Sequence, residues 1–383
     1  MINKNSMEND ASHIRILLVG GGTGGHFFPL ISIAETLNTL PLKPQLYYAG
    51  PTPYDTAMLL KEQITFVQIP SGKQRQYFSF LNYLDFFKTF FGLFVAFFKL
   101  YVIYPDVIMS KGGYTSVPVV IAGALLRIPI IIHESDAIIG KANKIGAKVA
   151  RTVVTAYDET IDSVPKKNSV IKLGIPVRKI LLSNPSSNAI TNLNVDPDRP
   201  ILLVLGGSQG AERINALILE SLDELLTDFT VIHQTGTQHI EVCKLSADTL
   251  IPDASIRKHY HPIAFLDATT LNDAYHLASI VISRAGSTSI YEIALHGKPS
   301  ILIPIPEDVS HDQRTNAYAY ARTGAGSVME EENLTDSLLR AEIDRIMQSE
   351  EIYAKMSSSA RNFGARDTGE RVAELVMKTA QEH

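Results

Sequence analysis

The stretch ILLVGGGTGG (residues 16–25) decides the fold, and ILLVLGGSQG (residues 201–210) repeats its pattern about half a chain later. In both stretches an apolar run, short enough for a buried strand, ends in a glycine-rich turn. A helix is predicted after each turn, over residues 28–40 and 211–228. Strand, glycine-rich turn and helix open a doubly wound α/β domain. The repeat therefore predicts two Rossmann-like domains, each built on a parallel sheet.

The rest of the chain alternates between short apolar runs and amphipathic segments, which predicts helices on both faces of each sheet. Further strands are predicted over residues 45–49, 107–110, 130–133, 152–155, 230–234, 280–283 and 300–304, and further helices over 116–126, 272–278, 288–296 and 367–381. Residues 170–200 are rich in proline, serine and asparagine, a composition typical of linkers and turns. We therefore expect the boundary between the two domains in this stretch.

Composition and charge exclude several classes of protein. The chain has 383 residues, 45% hydrophobic and 20% charged, so it can bury a sizeable core. A formal net charge of −5 argues against a general nucleic-acid-binding protein, which needs a basic excess. Cys243 is the only cysteine, which excludes an internal disulfide and a cysteine-based zinc site. The apolar run 14–19 is too short for a signal peptide, so a cytoplasmic location is expected.

An aromatic segment, residues 77–104, holds 13 of the 30 phenylalanine and tyrosine residues of the chain. Asp85, Lys88 and Lys99 interrupt it, whereas a membrane span needs roughly 18 or more apolar residues with few or no charges. The segment therefore predicts an amphipathic or buried helix that does not cross a membrane. Its aromatic residues and flanking lysines favour docking on a membrane surface, although about half of the aromatics are expected to pack inside the domain.

The first glycine-rich turn fits the dinucleotide-binding pattern, with glycines at 20, 22 and 25. A nicotinamide or flavin dehydrogenase would also place an acidic residue at the end of the second strand, which here reads YAG (residues 48–50). That absence argues against a dehydrogenase. The glycines could serve only a tight turn, but His26 follows them directly. A histidine there lies outside the carboxyl end of the sheet, where it can act as an acid or a base.

Two other strand ends carry polar residues. In the second turn Ser208 and the following helix start could bind a phosphate, although a purely structural turn is the alternative. After the strand 280–283, Glu292 could accept hydrogen bonds from the hydroxyls of a ribose, or it could simply complement the helix dipole. The clusters HESD (133–136) and HDQRTN (311–316) also follow predicted strands, and neither has a convincing metal-ligand spacing.

Taken together, these segments resemble the MurG family of bacterial peptidoglycan glycosyltransferases, from about residue 14 to residue 380. The ordered motifs that carry the resemblance are GGTGGH followed by Pro29 (21–29), SGK (71–73), KGGY (111–114), HE (133–134), GIPVR (174–178), GGSQGA (206–211), SRAGS (283–287) with Glu292, and QRTNA (313–317). Each motif is short, but the complete set in this order is highly specific.

The resemblance implies a GT-B fold, in which two Rossmann-like domains enclose an interdomain cleft. Residues 13–173 would form an acceptor-binding and membrane-binding domain, on which a C-terminal helix at about 364–383 packs back. Residues 174–363 would bind the donor. The implied enzyme is an inverting transferase on the cytoplasmic face of the inner membrane. It would move N-acetylglucosamine from UDP-N-acetylglucosamine to the 4-hydroxyl of undecaprenyl-diphospho-muramoylpentapeptide, without a metal or another cofactor.

The resemblance also implies which residues bind the donor. They are Thr23, Gly24, Asp136, Arg178, Ser208, Phe265, Leu266, Arg284, Ser287, Thr288, Glu292, Gln313 and Asn316. Phe265 and the Leu266 backbone would frame the uracil, and Glu292 would bind the ribose. Ser208 and Arg178 would hold the diphosphate together with the start of the helix at 287. Arg284 would support that loop, and the glutamine and asparagine of the QRTNA motif would bind the sugar hydroxyls.

The implied acceptor-binding residues are Gly22, Gly25, His26, Lys73, Gly112 and Tyr114. A general base must accept the proton of the attacking hydroxyl. His26 is the first candidate by its location and Glu134 is the second, and the sequence does not decide between them.

The chain departs from the family pattern at three positions. Asp136 stands where a neutral amide is common, Ile139 where a proline is common, and Asp312 where histidine or glutamine is frequent. These changes leave two alternatives open. The chain could use another lipid or small-molecule acceptor, or it could be a binding protein that has lost catalysis.

Overall fold

The computed structural model describes residues 14–72, 81–165, 169–207, 210–307 and 311–383. The chain divides into two compact units. The first unit comprises Met1–Arg178 together with Arg366–His383, and the second comprises Lys179–Ala365. These divisions lie a few residues C-terminal to the ones expected at 173/174 and 363/364.

The first unit contains a seven-stranded parallel sheet in the order β3-β2-β1-β4-β5-β6-β7. Its strands are β1 (Arg15–Gly20), β2 (Gln45–Gly50), β3 (Ile64–Gln68), β4 (Val107–Gly112), β5 (Ile130–Glu134), β6 (Thr152–Thr155) and β7 (Ser169–Lys172). Alternate residues of β1 point to opposite faces of the sheet, so Leu18 joins one core cluster and Leu17 joins the other. Both faces are covered, which explains why the central strands read as continuous apolar runs.

In the described residues of the first unit, six helices precede the second unit. They are α1 (Gly24–Leu37), α2 (Thr56–Lys61), α3 (Leu81–Ile103), α4 (Ser116–Leu125), α5 (Lys141–Gly146) and α6 (Asp158–Ile161). The predicted start of the first helix at residue 28 was wrong. The Thr23 carbonyl accepts the backbone N–H groups of His26 and Phe27, each at 3.2 Å, so α1 begins at Gly24. His26 therefore lies in the first turn of the helix.

The second unit contains a six-stranded parallel sheet in the order β10-β9-β8-β11-β12-β13. Its strands are β8 (Ile201–Leu205), β9 (Thr230–Gln234), β10 (Tyr260–Ile263), β11 (Ile280–Ser283), β12 (Ser300–Leu302) and β13 (Gly326–Val328). Its helices are α7 (Ala189–Leu193), α8 (Glu212–Glu220), α9 (Leu222–Asp228), α10 (Ile240–Leu250), α11 (Ala254–Arg257), α12 (Ala268–Leu277), α13 (Ser287–Leu295), α14 (His311–Arg322), α15 (Asp336–Met347) and α16 (Glu350–Phe363).

The helix predicted over residues 211–228 is two helices. The Ser221 hydroxyl donates to the Leu217 carbonyl at 2.8 Å, and the backbone leaves the helical geometry at Ser221. Serine competes with the helical hydrogen bonds in this way, which accounts for the break.

The two sheets reverse their strand order at equivalent positions. In the first unit the order reverses between β1 and β4, and in the second unit between β8 and β11. Ligands of doubly wound folds bind outside the carboxyl ends of the strands at such a switch point. The two Rossmann-like domains predicted from the repeated stretch are thereby confirmed, and each offers one such edge.

The final helix, α17 (Thr368–Gln381), belongs to the first unit. Its apolar side chains, among them Val372 and Val376, join the core cluster that also contains Leu30 of α1. The Thr368 hydroxyl donates to the Leu173 carbonyl at 2.8 Å. The last helix is thus held to the first unit both by packing and by hydrogen bonding.

Helix α3 has two contrasting faces. Ala96 and Leu100 are fully buried against the sheet, whereas large aromatic side chains on the other face are exposed. The exposed set is Phe87, Phe90, Phe91, Phe94, Phe98 and Tyr101, which we call the aromatic face. Among the residues that the structure describes, no helix combines the length and apolarity that crossing a membrane requires.

Replacing Gly92 by alanine should destabilise the first unit. A glycine-to-alanine change inside a helix ordinarily stabilises by about 1 kcal/mol. Here, however, a β-carbon would overlap the carbonyl oxygen of Pro70. Overpacking of this kind costs about 1–3 kcal/mol, so the thermal unfolding midpoint of Gly92→Ala should fall by several degrees. Gly369→Ala is the matched control, because its β-carbon would lie 3.4 Å from the Ser32 hydroxyl, an ordinary contact. An unchanged midpoint for Gly92→Ala would contradict this packing.

Candidate active site

Two backbone turns meet at the switch point of the first unit. The turn after β1 passes through Gly22 at φ +92°, and the turn after β4 passes through Gly113 at φ +79°. A β-carbon on Gly113 would lie only 2.9 Å from the Gly21 carbonyl oxygen. Both the left-handed backbone and the close approach therefore require glycine here. The contact brings the start of α1 next to the residues that follow β4 and β5.

His26 lies at this edge with its imidazole held in place. Its Nδ1 is 2.9 Å from the Thr23 hydroxyl, so a proton exchanged with a substrate would use Nε2. The side chain is partly buried. Burial and the nearby Lys111 ammonium lower the pKa of His26 to about 4, while Asp136 opposes that change. The imidazole is therefore uncharged at neutral pH and able to accept a proton.

Glu134, at the end of β5, is only 3% exposed, and both of its carboxylate oxygens are occupied. One oxygen accepts the Asp136 backbone N–H at 3.0 Å. The other accepts the Gly140 N–H and the Asn143 side-chain amide, each at 2.9 Å. Burial and the charge of Asp136 raise the pKa of Glu134 to about 7. The carboxylate anchors the loop 136–143, a geometry that favours His26 over Glu134 as the base.

Asp136 is held by the same loop. Its backbone N–H is the one that Glu134 accepts, and its carbonyl accepts the Thr160 hydroxyl at 2.8 Å. Its charge raises the pKa of His26 and that of Glu134. The acidic residue that departs from the family pattern thus influences the His26 imidazole through its charge.

The other predicted residues of the first unit lie around the two turns. The Tyr114 ring would lie 3.2 Å from a β-carbon on Gly22, so it packs against the first turn. The Arg178 guanidinium lies 4.4 Å from the centre of the Phe28 ring, in a cation–π contact with α1. Lys73 lies outside the described residues, as does Ser208 in the second unit.

In the second unit, Gln234 links the glycine-rich turn after β8 to the predicted uracil site. Its side-chain amide donates to the Gly207 carbonyl at 2.9 Å, and its oxygen accepts the Leu266 N–H at 3.0 Å. The Leu266 N–H is thus occupied, so only the carbonyl of the Leu266 backbone remains available to a nucleobase. Leu266 is buried and Phe265 is 55% exposed, so the phenylalanine ring is accessible for stacking. Sequence reasoning missed Gln234, because it belongs to no motif.

Glu292 lies in the second turn of α13, and no acidic residue occupies the first turn. The helix-dipole alternative for this residue therefore has no support in the structure. Its side chain is 8% exposed and accepts the Tyr275 hydroxyl at 3.3 Å. Tyr275 is fully buried and stacks on His296 with ring centres 4.7 Å apart. Tyr275 orients the carboxylate and is a second residue that the sequence did not reveal. Ser287 and Thr288 begin the same helix.

Arg284 and Gln313 hold the loops that follow β11 and β12. The Arg284 guanidinium donates to the carbonyls of Ile303 and Pro304, at 3.2 and 3.3 Å, and pairs with Glu331. The Gln313 side-chain oxygen accepts backbone N–H groups from both loops, each at 3.3 Å. Asn316, one turn later in α14, is buried. Arg284 therefore supports the backbone, and the amide nitrogen of Gln313 is the part of that side chain left for a sugar.

The structure thus gathers the predicted residues at two edges. In the first unit the edge is formed by Gly22, Thr23, Gly24, Gly25, His26, Gly112, Tyr114, Glu134, Asp136 and Arg178, and in the second unit by Phe265, Leu266, Arg284, Ser287, Thr288, Glu292, Gln313 and Asn316. Within the described part of the chain, no group of histidine, cysteine and acidic residues could hold a metal ion.

Two family models match the chain. The N-terminal domain of glycosyltransferase family 28 matches residues 16–155, and the C-terminal domain of that family matches residues 201–372. Both matches include a glycine-rich turn of the repeated pattern.

Curated relatives match nearly the whole chain. One is the UDP-N-acetylglucosamine--N-acetylmuramyl-(pentapeptide) pyrophosphoryl-undecaprenol N-acetylglucosamine transferase of Borrelia turicatae, 35% identical over 95% of this chain and 96% of the relative. The enzyme of the same name from Treponema denticola is 35% identical over 82% of this chain and 83% of the relative. Among solved structures, MurG of Acinetobacter baumannii aligns with a TM-score of 0.75 at 24% identity, covering 95% of this chain and 99% of that one.

Proposed function

This chain belongs to the MurG family of glycosyltransferases, and on that premise we propose that it carries out the reaction after which its relatives are named. The donor is UDP-N-acetylglucosamine and the acceptor is undecaprenyl-diphospho-muramoylpentapeptide. The observation that carries the proposal most directly is His26, an uncharged imidazole fixed by Thr23 in the first turn of α1. We assign the acceptor to the edge of the first unit and the donor to the edge of the second.

Three features of the second unit suit a uridine diphosphate sugar. The Phe265 ring is accessible for stacking on the uracil. The Glu292 carboxylate, oriented by Tyr275, can accept two hydrogen bonds from vicinal ribose hydroxyls. The N-terminus of α13, at Ser287, presents backbone N–H groups, which favour an anionic diphosphate.

The reaction is an inverting displacement. The 4-hydroxyl oxygen of the acceptor forms a bond to the anomeric carbon as the bond to the UDP oxygen breaks. His26 Nε2 accepts the hydroxyl proton. Charge builds on the departing diphosphate, where the backbone N–H groups at the N-terminus of α13 stabilise it. Removing one such preorganised donor typically costs about 2.7–4 kcal/mol in the barrier. Glu134 contributes by holding the loop that carries Asp136, not by moving the proton.

A purified transfer assay with a short-chain analogue of the lipid acceptor tests the function. The chain should transfer N-acetylglucosamine from UDP-N-acetylglucosamine to this analogue. Glu292→Ala should raise KM for the donor by about tenfold or more, because the ribose hydroxyls lose a charged acceptor. The same variant should bind a 2′,3′-dideoxyribose donor analogue as wild type does. Transfer only to other acceptors would support the alternative acceptor class, and equal weakening of both donors would overturn the ribose assignment.

His26→Ala should lower kcat by about 10²- to 10⁴-fold, the range expected when a general base is removed. Since the pKa of His26 is lowered to about 4, its protonation should reduce kcat/KM only well below the ordinary imidazole range near 6.5. His259→Ala is the control for loss of an imidazole elsewhere and should leave kcat unchanged. A loss in kcat below tenfold for His26→Ala would remove His26 from the role of base.

We further propose that the enzyme attaches peripherally to the cytoplasmic face of the cell membrane through the aromatic face of α3. A lipid-linked acceptor stays in the bilayer, so the enzyme must come to its surface. Phe87, Phe91 and Phe98 are each more than 60% exposed. Exposing three large apolar side chains of one helix to water is unfavourable, and such a patch is typical of an interaction surface. Lys88 and Lys99 lie on the same exposed helix, and basic residues near an anionic leaflet contribute about 1 kcal/mol each.

The chain should bind vesicles that contain anionic lipid, and added salt should weaken this binding. The double variant Phe87→Ser with Phe91→Ser should bind at least several-fold more weakly, because two large apolar side chains no longer insert. The control is Val242→Ser with Leu245→Ser on α10, which removes two equally exposed apolar side chains from the second unit. Unchanged binding by a folded Phe87/Phe91 variant would exclude that pair from the contact, and no binding by wild type at low salt would overturn the surface-docking proposal.

A further inference from the structure

A buried ammonium group lies at the centre of the first edge. Lys111, the penultimate residue of β4, is 1% exposed. Its Nζ atom makes no hydrogen bond to any residue that the structure describes. Burying a lysine this completely is unfavourable unless nearby opposite charges compensate it. The motif KGGY contains Lys111, but no sequence pattern predicts that its ammonium is buried.

Lys111 lies directly beneath the glycine-rich turn that carries His26. A β-carbon on Gly20 would be 2.8 Å from the Lys111 β-carbon and 3.4 Å from the His26 carbonyl oxygen. The β-carbon of Lys111 therefore lies against Gly20, the last residue of β1, where a residue larger than glycine would displace it. This contact fixes the lysine against both the turn and the sheet.

The charged and titratable groups around the Lys111 ammonium come from three elements. His26 is on α1, Lys111 is on β4, and His133, Glu134 and Asp136 lie on β5 and the loop after it. The two carboxylates are the opposite charges that compensate the ammonium. Burial disfavours protonation of the two imidazoles, and the ammonium disfavours it further.

The pKa values agree with this arrangement. Burial lowers the pKa of Lys111 to about 8, and Glu134 and Asp136 oppose that change. The Lys111 charge lowers the pKa of His26 and that of His133, and it counters the rise in the pKa of Glu134. One ammonium thus influences both candidates for the base.

We propose that Lys111 is a positioning residue for the transfer reaction, whose buried ammonium disfavours protonation of His26 and favours the carboxylate form of Glu134, the anchor of the loop 136–143. The inference rests on the proposed function, because it assigns the base role to His26. Lys111 does not touch the reacting atoms. It acts through the side chains of His26 and Glu134.

The test follows the imidazole of His26 by NMR in protein labelled at histidine, without substrates, and a His26→Ala sample assigns its signal. In Lys111→Met, which removes the charge but keeps a long apolar side chain, the pKa of His26 should rise by about one unit or more. Lys144→Met removes one positive charge from the exposed surface of α5 and should leave the His26 titration unchanged. Unchanged titration of His26 in folded Lys111→Met would overturn the proposal.

Activity gives a second readout. In Lys111→Met the acidic fall of kcat/KM should move to higher pH together with the His26 titration, whereas a purely structural role would lower activity equally at every pH. The NMR result does not depend on transfer, so a wrong substrate assignment and a wrong role for Lys111 are distinguishable.

A third variant covers the case in which Lys111→Met does not fold. Adding Asp136→Asn removes a carboxylate whose charge the ammonium offsets, and the backbone hydrogen bonds of residue 136 stay in place, so the double variant should have a higher unfolding midpoint than the single variant. A double variant no more stable than Lys111→Met would contradict the pairing of these charges.

Discussion

The contact between two glycine turns is the constraint on which the first edge depends. Gly113 lies against the Gly21 carbonyl, and Gly20 lies against the Lys111 side chain, at distances that no other residue would permit. Because the backbones touch, the end of β4 lies beside the start of α1. The imidazole, the buried ammonium and the loop anchored by Glu134 therefore share one small, poorly solvated volume. Such surroundings disfavour charged forms and strengthen the interactions between charges, which is why the pKa values at this edge are shifted so far.

The sequence predicted the fold wherever burial imposes a pattern. Central strands such as β1 and β8 are covered on both faces, so they appear as apolar runs that end in glycines. The strands that were not predicted, such as β7 and β13, have four and three residues, several of them partly exposed. They leave no apolar pattern to read. The early start of α1 was missed for another reason: glycines are weak helix formers, and only the surrounding structure makes them helical.

For the candidate site, the sequence identified residue types but not their partners. Glu134 appeared suited to act as a base, because it follows a buried strand, yet three donors occupy its two oxygens. Gln234 and Tyr275 belong to no motif. Gln234 nevertheless links the glycine-rich turn after β8 to the predicted uracil site, and Tyr275 orients Glu292. These roles depend on contacts between distant parts of the chain. No local pattern of residues encodes such contacts.

At both edges, some side chains hold loops in place, and other side chains remain available to contact a substrate. Glu134 and Gln313 each accept backbone N–H groups from the loops around them, which preorganises the site without touching a reacting atom. At the first edge, the buried side chains also offset one another's charges. Asp136 is an anion where the family commonly has a neutral amide, and its charge raises the pKa of His26 and of Lys111. Burial of the imidazole and the nearby ammonium outweigh the effect on His26, so the imidazole stays uncharged despite the additional carboxylate.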